Sequence, residues 1–151
     1  MSEGSRSSNP RLPPLPLPPE IDEFLRLPNP AVVASLRPDG SPHTVATWYL
    51  WDGDHVLLNM DESRLRLRFM RQDPRVALTA LGQHEWYRHA SLLGEVSEIR
   101  EDEGQRDIDR LARHYTGQPF RNRERRRFSA LVEPSAWHAW SGSGAWLGGS
   151  G

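Results

Sequence analysis

The stretch Ser63-Arg64-Leu65-Arg66-Leu67-Arg68-Phe69-Met70-Arg71-Gln72-Asp73-Pro74-Arg75-Val76-Ala77-Leu78 alternates cationic and apolar side chains and then breaks at Asp-Pro. A helix capped by Asp61 or Ser63 and running to about Gln72 fits this pattern. The residue before a proline is steered out of helical conformation, so Asp73-Pro74 ends it. Val76 to Leu81 then reads as a strand. At about 100° per residue, Arg64, Arg68 and Arg71 share one stripe, an ordinary solvated face. Arg66 instead falls inside the apolar arc, between Leu65/Phe69 and Leu67/Met70. A charge isolated among apolar groups is costly. Its guanidinium therefore needs a carboxylate of this chain, a bound anion, or a stem long enough to carry it out to water. An arginine grips phosphate with two parallel hydrogen bonds, and the first turn of a helix leaves N–H donors free at the same place.

Short strands surround this helix. Upstream, Glu20 to Leu27 forms an amphipathic helix opened by Pro18-Pro19, with Ile21, Phe24 and Leu25 on one side. Ala31 to Leu36 reads as a buried strand, Pro38-Asp39-Gly40-Ser41 as a turn, and His43 to Trp51 as the next strand. Asp52-Gly53-Asp54 turns the chain back into His55 to Met60, which makes a three-stranded meander. Downstream, Trp86 to Ile99 holds a longer strand with a bulge at Gly94. Glu101 to Tyr115 is a helix ended by Gly117, and Arg127 to Trp140 is a last strand broken near Pro134. The fold class is mainly β with helical insertions: six antiparallel strands in a small barrel. Residues 1–19 form a Pro-rich arm, extended or disordered, 20–140 the folded domain, and 141–151 a Gly/Ser-rich tail.

Composition narrows the function. With 151 residues the chain makes one domain. It has no cysteine, which excludes disulfides, thiolate catalysis and cysteine metal sites. Its basic residues are all arginine, yet the net charge is -1, which argues against a generic nucleic-acid or membrane-surface binder. Mean hydropathy is -0.69 and no apolar run approaches a membrane span, so a soluble cytoplasmic protein is the expectation. His84-Glu85 with His89 lacks zinc-site spacing, and the chain has no phosphate-binding glycine loop. Arg121, Arg123, Arg125, Arg126 and Arg127 form a basic run, either a solvated loop or an attractor for an acidic group.

The order of these motifs resembles the pyridoxamine 5'-phosphate oxidase-like superfamily over residues 21 to 140. Asn29 to Pro42 is similar to its first hairpin. Thr47-Trp48-Tyr49 with Trp51-Asp52-Gly53-Asp54 is similar to its second strand and turn. Ser63 to Leu78 is similar to its G-R-x-K-x-R-N-L-x-x-D-P-R-V segment, and Leu111 to Gly117 to its L-A-x-R-Y-x-G helix end. The branch resembled most uses coenzyme F420, a deazaflavin, with FMN as the alternative.

The resemblance implies a six-stranded split β-barrel of the FMN-binding type, a homodimer with a cofactor site at the subunit interface and a small-molecule substrate. It implies that Arg64 and Arg66, with Ser63, grip cofactor phosphate. Asn59 and Met60 lie beside it, Val45, Ala46, Thr47 and Trp48 line the ring, and Trp86, Tyr87 and Arg88 line the pocket across the dimer. Ser63, Arg66 and Phe69 stand where Gly, Lys and Asn are common, and Leu93 where an Arg is frequent. The implied activity is hydride transfer between reduced deazaflavin and a flat conjugated acceptor, with water, Tyr49 or His43 as the proton source. FMN chemistry on the same fold, or non-catalytic binding of a cofactor or haem, are the alternatives.

Overall fold

A computed structural model describes residues 11–141 of the chain. The elements are α1 (Pro19–Leu25), β1 (Ala31–Leu36), β2 (Pro42–Thr47), β3 (Leu50–Trp51), β4 (Val56–Asp61), α2 (Leu65–Gln72), β5 (Arg75–Leu81), β6 (His89–Glu101), a 3-10 turn (Glu103–Gln105), α3 (Arg106–Thr116) and β7 (Arg127–Trp140). Seven strands, all paired antiparallel, lie in the order β2-β1-β5-β6-β7-β4-β3. The ends of this order, β2 and β3, are separated in sequence only by Trp48 and Tyr49. The sheet therefore curls until its two ends share one corner, the antiparallel split barrel expected from the sequence.

That corner corrects two expectations. His43 to Trp51 is not one strand, because the ladder stops at Thr47 and resumes at Leu50. The reason is Tyr49, which turns fully inward: its hydroxyl donates to the Leu25 carbonyl at 2.8 Å and accepts from Asn29 Nδ2 at 3.2 Å. Nor is there a meander. β2 pairs with β1, whereas β4 pairs with β3 and β7, so the split yields seven strands in place of six.

The core joins Ile21, Phe24 and Leu25 of α1 to inward residues of the barrel such as Val33, Leu58, Leu78, Leu92 and Trp137. α1 stops at Leu25, two residues short of the expected Leu27, which is exposed. Part of the Pro-rich arm is ordered on the body. The Pro13 carbonyl accepts from the Trp137 N–H at 3.1 Å, the Pro14 carbonyl accepts from Trp137 Nε1 at 3.2 Å, and Leu15 and Leu17 pack on the core. β4 pairs with β7 only over residues 127 to 132, so this stretch of arm covers an otherwise open edge. The expectations for residues 1–10 and for the tail beyond 141 fall outside the described residues.

β7 runs unbroken through Pro134, and its irregularity is a bulge. Leu93 faces Ala136 and Gly94 faces Pro134, leaving Ser135 as the extra residue; a second shift lies between Val96 and Glu98. Gly94 suits the first bulge because a Cβ there would run into the Glu133 carbonyl oxygen and come within 2.7 Å of Pro134 Cα. Both are backbone atoms, which cannot swing aside. Gly94→Ala is expected to destabilise the fold by about 1–3 kcal/mol, seen as a lowered midpoint in chemical denaturation.

Candidate active site

β4 carries its side chains alternately to the core and to a cleft. Leu58 and Met60 are fully buried in the core, while Asn59 faces the cleft. At the strand end, Asp61 Oδ1 accepts from the Ser63 N–H at 2.8 Å and from its hydroxyl, turning the chain toward α2. Neither residue caps the helix directly. Arg64 occupies the N-cap position in extended conformation, and its Nε lies 3.3 Å from Asp61 Oδ2. In α2, Leu67, Phe69 and Met70 are buried, but Leu65 is exposed, so the apolar arc is narrower than its helical spacing suggests.

Arg66 enters the cleft beside Asn59. Its Nη2 donates to the Asn59 carbonyl at 3.1 Å, and its Nε is buried without a partner. Among the described residues, no carboxylate lies within ion-pairing distance of this guanidinium. Burial first, and then the nearby charges of Arg64 and Arg127, push its pKa down to about 10, with Asp61 partly opposing. Arg127, the first residue of β7, donates from Nε to Asn59 Oδ1 at 2.7 Å and stacks over Phe120 at 4.7 Å. Burial is the main cause that lowers its pKa too. Of the three choices open to Arg66, an internal carboxylate partner is absent, and the head group is mostly buried.

The cleft has a volume of about 640 Å³. That lies within the range of about 300–1,000 Å³ typical of small-molecule and cofactor sites. Arg64, Arg66 and Arg127 form its cationic end. Its walls are apolar, built from Pro28 and Pro30, from Val45 and Ala46 on β2, and from Ile108 and Leu111 on α3. Trp48 and Tyr115 close one side as a stacked pair, with centroids 5.3 Å apart and planes at 12°. The Tyr115 hydroxyl donates to the Asn29 carbonyl at 2.7 Å and accepts from the Tyr49 N–H at 3.3 Å. Burial pushes its pKa up to about 12. A polar recess of about 240 Å³, lined by Asp61, Ser63, Asn122 and Arg125, adjoins the cleft through Arg64 and Arg127.

Val45, Ala46, Thr47, Trp48, Asn59, Arg64 and Arg66 thus meet in one cleft, with Ser63 in the adjoining recess. Met60 does not, because the strand's two-residue period turns it to the core. Trp86 and Tyr87 stack on each other at 4.3 Å, mostly exposed, on the β5–β6 connection. Arg88 sits over the Phe24 ring at 5.2 Å and lines a separate recess with Leu27 and His84. None of these three reaches the cleft of its own chain. Both side chains named as proton sources also lie elsewhere. Tyr49 is in the core, its acidity suppressed by burial, and His43 packs edge-on against Phe69 at 5.2 Å.

The basic run is partly neutralised at home. Arg123 holds Asp109 through two contacts of 2.7 and 2.8 Å, and Arg126 holds Glu101 at 2.9 and 3.1 Å. Eight cleft residues have no counterpart among the sequence-derived site residues; five are aliphatic wall, and the charged or aromatic ones are Arg127, Tyr115 and Phe120. Arg127 is hidden by its membership of the basic run, Tyr115 by its place on the apolar face of a helix, and Phe120 by a loop with no periodicity.

Residues 17–141 match the family model described as pyridoxamine 5'-phosphate oxidase, and the chain belongs to that family. Among solved structures, an F420 reductase is similar at 26% identity and a TM-score of 0.73, with 80% of this chain and 98% of the reductase covered. A conserved hypothetical protein from Mycobacterium tuberculosis follows at 23% identity and a TM-score of 0.67, covering 89% and 90% of the two chains. HupZ of Group A Streptococcus shares the fold at 15% identity and a TM-score of 0.62, covering 90% of this chain and 100% of its own. No curated protein matches the chain in sequence. Among the described residues, no helix is long and apolar enough to cross a membrane.

The buried Arg66 predicts a trade between stability and binding. An unfolded guanidinium holds its proton more tightly than this one does, so the charged side chain costs stability at every pH below about 10. Arg66→Met is expected to raise the stability of the ligand-free protein at pH 7 by up to about 3 kcal/mol. The same variant is expected to lose the thermal protection that added phosphate gives the wild type. Paired thermal melts with and without phosphate check both.

Proposed function

We propose that this protein is an F420-dependent oxidoreductase acting on a flat, conjugated small molecule. The observation that carries the reading is the Arg66 guanidinium: mostly buried, flanked by Arg64 and Arg127, and without a carboxylate partner among the described residues. A cationic end joined to an apolar slot suits a planar ring system bearing a phosphate. The residues present fit such a group, since the orphaned Arg66 Nε is a donor in want of an acceptor. The deazaflavin is favoured over FMN by the 26% identity to an F420 reductase of which 98% is covered.

Arg64, Arg66 and Arg127 would hold the phosphate, with charge-assisted hydrogen bonds that a drained cleft strengthens. Val45, Ala46 and Thr47 would lie along the ring, and the Trp48–Tyr115 stack would exclude water from that side. When bound, a reduced deazaflavin supplies a hydride, and the conjugated acceptor that receives it takes up one proton. Tyr115 is a poor source for that proton, because its hydroxyl is committed to Asn29 and its pKa lies near 12. The proton is therefore assigned to solvent at the open side of the cleft.

A homodimer is part of this reading. On β1, Ala31, Val33 and Ser35 face the core, while Val32 is exposed and Ala34 and Leu36 are half-covered. Neighbouring strands continue this outer face with Leu81, Leu93 and Ala136, an apolar stretch bounded at one end by Arg75 and Glu95 and suited to a second copy. Trp86 and Tyr87 would then be presented to the partner's cleft.

Titration of the purified protein with oxidised and reduced coenzyme F420, and with FMN, tests the cofactor. Saturable F420 binding is expected, with at least tenfold weaker binding by Arg66→Ala. Equal binding by that variant would defeat the phosphate assignment, and preferential FMN binding would defeat the deazaflavin reading. Light scattering is expected to give twice the 17.2 kDa chain mass.

A further inference from the structure

The two innermost cations of the cleft are held differently from the arginines of the fold that pair closely with acids. Arg26, Arg75, Arg123 and Arg126 each pair with a carboxylate at 2.7–2.9 Å. Arg66 and Arg127 are held instead by the two oxygens of one neutral residue, Asn59: its backbone carbonyl takes Arg66 Nη2, and its Oδ1 takes Arg127 Nε. The Asn59 amide is in turn fixed from behind. Nδ2 donates to Asp102 Oδ2 at 3.0 Å and to Ser129 Oγ at 3.1 Å, so Oδ1 has to face the cleft. Asn59, Asp102 and Ser129 are all buried.

This network continues into the cleft wall. Asp102 Oδ1 accepts from the Asp107 N–H at 2.9 Å and Oδ2 from the Ile108 N–H at 3.0 Å, which satisfies the first turn of α3. The Ser129 hydroxyl donates to Asp107 Oδ2 at 2.7 Å. α3 carries Ile108, Leu111 and Tyr115 into the cleft. The amide that aims the cations and the helix that lines the apolar slot therefore share one carboxylate.

We propose that Asn59 is a positioning residue: it aims Arg66 and Arg127 at a single phosphate group without neutralising them, and through Asp102 it couples phosphate binding to the seating of α3. The inference rests on the anion-site reading above. A neutral amide is what the task requires. An aspartate at 59 would also accept from Arg127, but it would cancel the charge meant for the ligand and lie against Asp102. An aliphatic residue would leave Arg127 unaimed. Because both groups of the Asn59 amide are engaged within the chain, Asn59 acts through the arginines and not by touching the ligand with its side chain.

Inorganic phosphate is the probe, titrated by calorimetry into the full-length wild type, Asn59→Ala, Asn59→Asp, Arg127→Gln and Asn59→Ala/Arg127→Gln. Asn59→Ala and Asn59→Asp are each expected to bind phosphate about tenfold more weakly or worse. In the Arg127→Gln background the further loss from Asn59→Ala is expected to shrink to under threefold, since the residue acts through that arginine. In NMR spectra of ligand-free protein, the Arg127 Nε–H signal is expected to be protected in the wild type and lost in Asn59→Ala. Phosphate is expected to slow amide hydrogen exchange across residues 106–116 of the wild type only. Ser129→Ala, a milder change, serves if Asn59→Ala does not fold, and is expected to weaken phosphate binding about threefold. Equal phosphate binding by wild type and Asn59→Asp, or full additivity in the double variant, would overturn the positioning role while leaving the anion site intact. A wild type that does not bind phosphate would overturn the anion site itself, and the positioning role with it.

Discussion

A guanidinium sits against the floor of the cleft with one carbonyl oxygen as its partner and, among the described residues, no acid within ion-pairing distance, and the organisation of the site follows from that constraint. A charge in such a place raises the energy of the empty protein, and the surrounding fold has to be strong enough to hold it there. The means are visible. β4 is buried along its whole length, paired throughout with β7 and at Val56 and Leu57 with β3, and anchors Asn59 beside Arg66. Asp61 folds the turn that starts α2, so the arginine arrives from a fixed direction. The stability is supplied by the core, and the site gives up some of it to keep a cation without an ion pair in the lining of the cleft.

The corner at Trp48-Tyr49 has the same logic from the opposite wall. The chain gives up two residues of strand pairing so that Tyr49 can drop into the core and be fixed by Leu25 and Asn29. Its neighbour Trp48 is thereby turned toward Tyr115, whose hydroxyl is tied back to Asn29. One buried asparagine thus links α1, the barrel corner and the C-terminal end of α3. Asn59 plays a comparable part at the other end of the helix. The cleft lies between these two polar anchors, and its apolar walls are positioned by hydrogen bonds made outside it.

Local sequence signals account for the elements that carry them. The Asp73-Pro74 stop, the strand of Ala31 to Leu36, the Gly94 bulge and the Gly117 helix end are all where composition and turn chemistry place them. Gly117, at φ +75, caps α3 in the left-handed conformation that glycine adopts freely. The pairing partners were not legible. Nothing local to His43–Trp51 says that its two halves serve opposite ends of one sheet, because that depends on what Tyr49 meets in the folded core. The site divides in the same way. Arg66 stands out in sequence because its helical position conflicts with its charge. Arg127 does not, because a run of five arginines in seven residues looks alike at every position, and only the ladder of β4 against β7 distinguishes the one opposite Asp61.

That difference explains why charge counting along the chain misleads about this cleft. Arg123 and Arg126 lie within a few residues of Arg127, yet each is closed off by a carboxylate, Asp109 or Glu101. Coulomb attraction for an anion comes from charges that have no nearby acid of their own, and those are set by three-dimensional pairing. Asp61 is the one carboxylate among the residues lining the cleft and its recess, and it lies within 4 Å of Arg64 and Arg125 but of neither Arg66 nor Arg127. The cationic end is therefore graded, ion-paired at its mouth and, among the described residues, without an ion pair at its floor. A ligand bearing a phosphate on a planar ring would be drawn inward along that gradient until the ring met the apolar walls, which is the order in which an anion anchor and a hydrophobic slot have to act to fix one orientation.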